Sequence, residues 1–287
     1  FYCVYFRHNF LQLAEKGFVM AREVSSISRI GTSEPFELQV SRGQIAYHKP
    51  LFKFGNNAVV GDSLETIWSE GGLYSYLTAA TVLKVSSSST DDTSAGTGAR
   101  TVQLYGLDGD YNEINEVVTL NGQTAVNTTQ SFLRIYRMIV RSAGTGGQNA
   151  GIIYAGTGTV TSGVPANVYA SINGIAGSNQ SLMALWTVPA GYTAYILQYD
   201  VSNGTTSNTP AVCKLILSIS PFGEVFQSKD VKSLTTGMHV EETFSLPVKV
   251  TEKSDIEVRA ISSSNSVSFD ISASFEIIYI KNGDVLA

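Results

Sequence analysis

Phe269-Asp-Ile-Ser-Ala-Ser-Phe-Glu-Ile-Ile-Tyr-Ile280 sets apolar residues at 269, 271, 273, 275 and 277 with polar ones between them. Alternation at period two marks a strand with one buried face, whereas a helix spaces its apolar residues three to four apart. The same alternation, or an apolar run of strand length, recurs in Thr101-Val-Gln-Leu-Tyr-Gly106, Asn115-Glu-Val-Val-Thr-Leu120, residues 132–140 and Gly151-Ile-Ile-Tyr154. It returns at 182–188, 193–199, 212–219, 224–227, 242–246 and 255–260. Turn signals separate these runs: residues 91–98, Asp108-Gly109, Asn121-Gly122, residues 144–147 and Val188-Pro-Ala-Gly191. Asn-Gly and Asp-Gly tolerate the positive φ angles of tight hairpins, and Pro-Ala-Gly suits a reversal. Strand follows strand without a helix between, which predicts antiparallel sheets. Only Asp62-Ser-Leu-Glu-Thr-Ile-Trp68 pairs an N-cap residue with helical spacing, ahead of Gly71-Gly72, so one short helix is predicted there.

Composition agrees. Charged residues are 15% of the 287 and hydrophobic residues 43%, enough apolar surface for a core in a chain of this length. Ser, Thr, Asn and Gly fill the remainder, a mixture that favours strands and turns over helices. The fold class expected is all-β: two β-sandwich or jelly-roll domains behind an N-terminal arm. The arm covers 1–60, the first sandwich 61–163 and the second 164–287. The boundary follows Gly156-Thr-Gly-Thr-Val-Thr-Ser-Gly163, read as a flexible linker. Within the arm, Met20-Ala-Arg-Glu-Val reads as a translation start, which makes 1–19 a candidate upstream extension.

Charge is uneven. Residues 1–60 hold seven Lys/Arg against four acids, a net of +3, while the chain as a whole carries −5. A basic arm on an acidic body suggests docking to an acidic surface. The apolar, strand-like pieces Phe36-Glu-Leu-Gln-Val40 and Leu51-Phe-Lys-Phe54 lie in this arm, interrupted by Pro35 and Pro50. They are the candidate partner-binding residues: Phe36, Leu38, Val40, Leu51, Phe52 and Phe54, expected to add to another chain's sheet edge.

Chemistry is sparse. His8, His48 and His239 sit in no nucleophile elbow, so no catalytic residue is assigned and the chain is read as a non-enzyme. Asp108-Gly-Asp-Tyr-Asn-Glu113 opens like a calcium loop, but Glu113 stands where that loop needs glycine and Thr119 where it needs glutamate. It reads as a hairpin turn, and Asp91-Asp92 lacks a third ligand. The Gly-Thr-Gly clusters open onto no helix and cradle no phosphate. Cys3 and Cys213 have no metal or disulfide spacing and read as reduced thiols. No metal or cofactor is expected. No run of about eighteen apolar residues marks a membrane span, and no Lys/Arg cluster marks direct nucleic-acid binding. Tyr74, Tyr76, Tyr105 and Tyr111 offer either sheet packing or a sugar-stacking platform.

Gly61-Asp-Ser-Leu-Glu-Thr-Ile-Trp-Ser-Glu-Gly-Gly72 and the stretch 102–122 resemble structural proteins of marine tailed bacteriophages, cyanophages above all. The second domain is similar to their jelly-roll modules, with Trp186-Thr-Val-Pro-Ala-Gly-Tyr192 leading one strand and Asp255-Ile-Glu-Val-Arg-Ala260 forming another. The resemblance spans roughly 20–287. It implies a virion protein assembled in the host cytoplasm: a capsid decoration or cement protein on the major capsid protein, or a head-fibre or vertex component. Such proteins are commonly homotrimers. The rival readings are a receptor- or glycan-binding tail or fibre component and, further off, a depolymerase.

Overall fold

In the computed structural model, which describes residues 34–173, 178–206 and 209–283, the helix α1 (Phe36–Ser41) precedes sixteen strands. In chain order these are β1 (His48–Val60), β2 (Glu65–Thr66), β3 (Thr81–Ser87), β4 (Ala99–Leu107), β5 (Glu113–Thr119), β6 (Val126–Phe132), β7 (Arg134–Ala143) and β8 (Ile153–Thr161). There follow β9 (Val164–Ile172), β10 (Leu185–Thr187), β11 (Tyr192–Asn203), β12 (Cys213–Ser220), β13 (Gln227–Leu234), β14 (His239–Val250), β15 (Asp255–Ser262) and β16 (Phe269–Lys281). Among the described residues these strands pair antiparallel throughout.

Two framework sheets have the orders β1-β16-β11-β14 and β10-β15-β12-β13, with β2 also on β15. Two inserted sheets, β6-β3-β8-β9 and β5-β4-β7, arise from the chain between β1 and β10. On β16, Phe269, Ile271, Ala273, Phe275 and Ile277 are buried while Asp270, Ser272 and Glu276 are exposed, as the period-two pattern requires. Trp186, Tyr199 and Phe275 from the framework and Leu104 and Phe132 from the insertion belong to one continuous core.

Four sequence-based expectations are corrected. Residues 62–68 form no helix: Glu65 and Thr66 pair with Ala260 and Arg259 of β15. The Glu65 carboxylate instead takes the backbone N–H groups of Gly61 (2.8 Å) and Gly72 (2.9 Å) and the Asn57 amide (3.0 Å), which ties the loop closed. Phe36–Ser41, expected as strand-like, is helical. Pro35 sets φ at −53° ahead of it, and Gly43 (φ +67°) ends it. Gln44 N–H donates to Gln39 C=O and Gly43 N–H to Val40 C=O, a Schellman closure.

Residues 48–60, assigned to the arm, are β1 and pair with β16 from His48↔Ile280 to Val60↔Phe269. Residues 156–163, read as a linker, are strand β8 and its turn into β9. Glycine serves close approach there: a Cβ on Gly163 would lie 1.8 Å from the Ser87 carbonyl oxygen and one on Gly156 2.2 Å from that of Asn167.

Candidate binding surfaces

Along β1 successive side chains point to opposite faces. Phe52 and Phe54 share the outer face, with ring centroids 5.7 Å apart, and Phe52 is half exposed. Phe36 on α1 meets His48 edge-on at 5.8 Å; Phe36 and Leu38 are both exposed. Val40 is buried, while Leu51 and Phe54 are partly buried, Leu51 packing against the core. Three of the six expected residues, Phe36, Leu38 and Phe52, are therefore exposed on α1 and β1, with Phe54 half-buried beside Phe52.

The stripe borders a polar sheet face. Register places Phe52, Glu276, Gln198 and Thr243 in one row and Phe54, Ser274, Asp200 and Glu241 in the next. His239 Nε2 lies 2.7 Å from Asp200 Oδ2, and that carboxylate raises the imidazole pKa. Asn56 donates to Asp270 at 2.7 Å. His48 Nδ1 lies 2.7 Å from the Ala46 carbonyl oxygen; His8 and Cys3 lie outside the described residues.

The inner face of β1 is unusual. Lys53 is wholly buried, donates to the Tyr136 carbonyl oxygen and sits 5.7 Å from that tyrosine's ring. Burial pushes its pKa well below 10.5, and Arg137 adds to the effect. Nearby, Glu113 accepts from Lys49 at 2.6 Å and from the Tyr279 hydroxyl at 2.8 Å. These contacts lock the insertion to the framework.

A second lock holds the other end of the junction. Arg134 forks onto Asp255 (Nε–Oδ1 2.9 Å, Nη2–Oδ2 3.0 Å) and donates through Nη1 to the carbonyls of Leu77 and Leu133. Thr187 donates to the same Asp255 at 2.5 Å. The guanidinium lies over Tyr76 (4.7 Å) and Tyr111 (5.6 Å). Beside it, buried Glu257 accepts from Thr66 at 2.6 Å and from Arg259; burial raises its pKa despite that cation. A groove of about 520 Å³ opens over Arg134, lined by Tyr76, Leu77, Tyr111, Leu133 and Phe222 among others.

Both acidic motifs prove to be loop organisers. Asp108 Oδ1 accepts the N–H groups of Asp110 and Asn112, each at 2.9 Å. Asp92 takes the Ser87 hydroxyl (2.6 Å) and the N–H groups of Ala99, Ala150 and Gly151. Among the described residues no three His, Cys, Asp or Glu side chains converge as a metal site would need, and no helix is long and apolar enough to cross a membrane. Cys213 is buried, and burial raises its thiol pKa to about 12. Sequence reasoning flagged Tyr76 and Tyr111 but missed Lys53, Phe222 and the Arg134 fork. A lysine at an inward strand position was the one available signal.

No family model matches the chain, and no curated protein does. Among solved structures it is similar to the infectious bursal disease virus Gx strain structure, at 13% identity over 83% of this chain and 73% of that one, with a TM-score of 0.27. The VP2 subviral particle of the same virus matches at 12% identity over 84% and 74%, with a TM-score of 0.24. At such TM-scores the likeness carries no inference about what this chain does.

Proposed function

We propose that the chain is a structural protein of a virus particle, that its framework is a jelly roll, and that the α1–β1 stripe docks on other virion proteins. Strand pairing is the observation that carries the reading. In chain order β1, β10, β11 and β12 run up one limb and β13 to β16 run back. β1·β16, β10·β15, β11·β14 and β12·β13 are then the rungs of one long hairpin. Rolling it brings β16 onto β11 and β15 onto β12. Such a roll is the jelly roll of viral capsid and lectin domains. The step from roll to virion is an analogy of fold, and the resemblance of 61–72 and 102–122 to phage structural proteins points the same way.

The finer reading is a decoration or cement protein of a tailed phage, homotrimeric and seated on the major capsid protein through Phe36, Leu38, Phe52 and Phe54. Exposed aromatics in a row are the usual anchors of an interface. The test is quantitative mass spectrometry of purified particles carrying parent or Phe52→Ser/Phe54→Ser protein. Many copies spread over the shell, reduced at least tenfold in the variant, are expected. Absence of the parent protein from particles refutes the virion reading, and undiminished incorporation of the variant moves the docking surface elsewhere. A glycan-binding fibre component is the second reading, favoured by the groove over Arg134.

A further inference from the structure

We propose that the groove between the framework and the insertion binds an acidic saccharide, gripping its carboxylate or sulfate with Lys253 and a sugar face with Tyr111 and Phe222. The proposal rests on a surface distinct from the α1–β1 stripe, so it stands or falls apart from the docking reading.

The groove sits where two structural units meet, a common place for ligand sites, and its floor is prearranged. Four of the five guanidinium N–H groups of Arg134 are used by Asp255 and two carbonyls. Arg134 therefore holds the aromatic wall in place and is not the ligand's charge partner. That role falls to Lys253, which stands at the groove's edge, outside its lining. Its ammonium lies 5.5 Å from the Tyr111 ring centroid and 5.4 Å from that of Phe222, and no carboxylate pairs with it among the described residues.

Two of the three gripping residues are held in a costly backbone conformation. Tyr111 has φ +66° and Lys253 φ +61°, the left-handed region that residues other than Gly, Asn and Asp rarely occupy. One turn secures the two: Ala190 N–H donates to Tyr111 C=O (3.0 Å), and Lys253 N–H donates to Val188 C=O (2.8 Å). Strain of this kind persists where the surrounding structure over-determines it, and it gathers at binding sites. Here it aims two side chains from distant parts of the chain at one place.

Phe222 completes the wall. It stands edge-on to Tyr111 at 5.8 Å yet is 60% exposed at the tip of the β12–β13 turn, so the fold gains little from burying it. A pyranose presents C–H bonds on its flat face, which suit the electron-rich face of an aromatic ring. A lysine already poised over that ring supplies an anion partner next to it. A single cation left without a carboxylate beside the aromatic wall, on a chain of net charge −5, suits a ligand with isolated negative charges. A phosphate on every unit, as in single-stranded nucleic acid, calls for a basic track along the backbone.

Isothermal titration of the full chain tests this, with hexamers of alginate, polygalacturonate, hyaluronan and chondroitin sulfate, uncharged cellohexaose, and a ten-residue oligothymidylate. At least one acidic hexamer should bind at least tenfold tighter than cellohexaose. Phe222→Ser and Lys253→Gln should each weaken it at least tenfold with the melting temperature unchanged, while Phe52→Ser binds as the parent does. The proposal is overturned if no acidic hexamer binds, if both groove variants bind like the parent, or if oligothymidylate binds most tightly.

Discussion

β1 and β16 lie side by side, register to register, and obey opposite rules. β16 turns Phe275 and Ile277 inward and Glu276 outward. Its neighbour turns Lys53 and Asn57 inward and Phe52 outward. A strand's period fixes which residues share a face, but not which face meets a core. Over Lys53 the neighbour is the insertion, whose Tyr136 offers a carbonyl and a ring. The inner face of β1 is therefore partly a joint between units, and joints within a chain are more polar than cores.

The sharpest way to break the contrast is to damage the orthodox strand. Phe275 is fully buried on β16, and Phe275→Ala should cost about 3–5 kcal/mol of unfolding free energy by urea titration. A loss below about 1 kcal/mol would mean that the framework core is not the main support of this sheet.

Lys53→Met probes the unorthodox face. With its folded pKa held below 10.5 by burial, the unfolded chain takes up the proton first as pH falls, so the native state loses stability on acidification. Parent stability should rise with pH by up to about 1.4 kcal/mol per unit between the folded pKa and 10.5. The variant should lack that contribution. Urea titrations from about pH 7 to 9.5 compare the slopes and stay below the range where buried tyrosines act oppositely. Tyr74 and Tyr199 have pKa values raised by burial, and their stabilising effect is lost as pH climbs past 10. Equal slopes for parent and variant would show that Lys53 stays charged in the fold.

Phe52→Ser should change least in stability, within about 0.5–1 kcal/mol, while affecting attachment as described above. A larger loss would recast the outer stripe as part of the fold.

Much of the fold was legible from the chain alone. β4, β5, β7, β11, β15 and β16 announce themselves by alternation or apolar runs, and Asn121-Gly122 marks a turn with Gly122 at φ +60°. What stayed hidden depends on contacts between distant segments. Asn56 and Asp270 are 214 positions apart, so nothing local revealed that β1 belongs to the last strand's sheet. Glu65 looked like part of a helical turn because its three hydrogen-bond donors come together only in the folded loop. Phe52 and Phe54 could be picked out by spacing. Phe222 and Lys253 could not, since strand pairing and the 188–190 turn bring them to Tyr111.

The union of β1 with β16 also dictates an order of events at the ribosome. β1 emerges before every other strand of the described residues, and the strand it pairs with, β16, follows all of them. The inserted sheets can pair among themselves as they appear, because their partners are near in sequence. The framework cannot close before β16 has emerged. Until then Phe52 and Phe54 and the unpaired edge of β1 are open to neighbouring nascent chains, and the buried place of Lys53 does not yet exist. Slow elongation between β10 and β16 lengthens that exposure, so codon speed there should govern how much of the protein is recovered in soluble form.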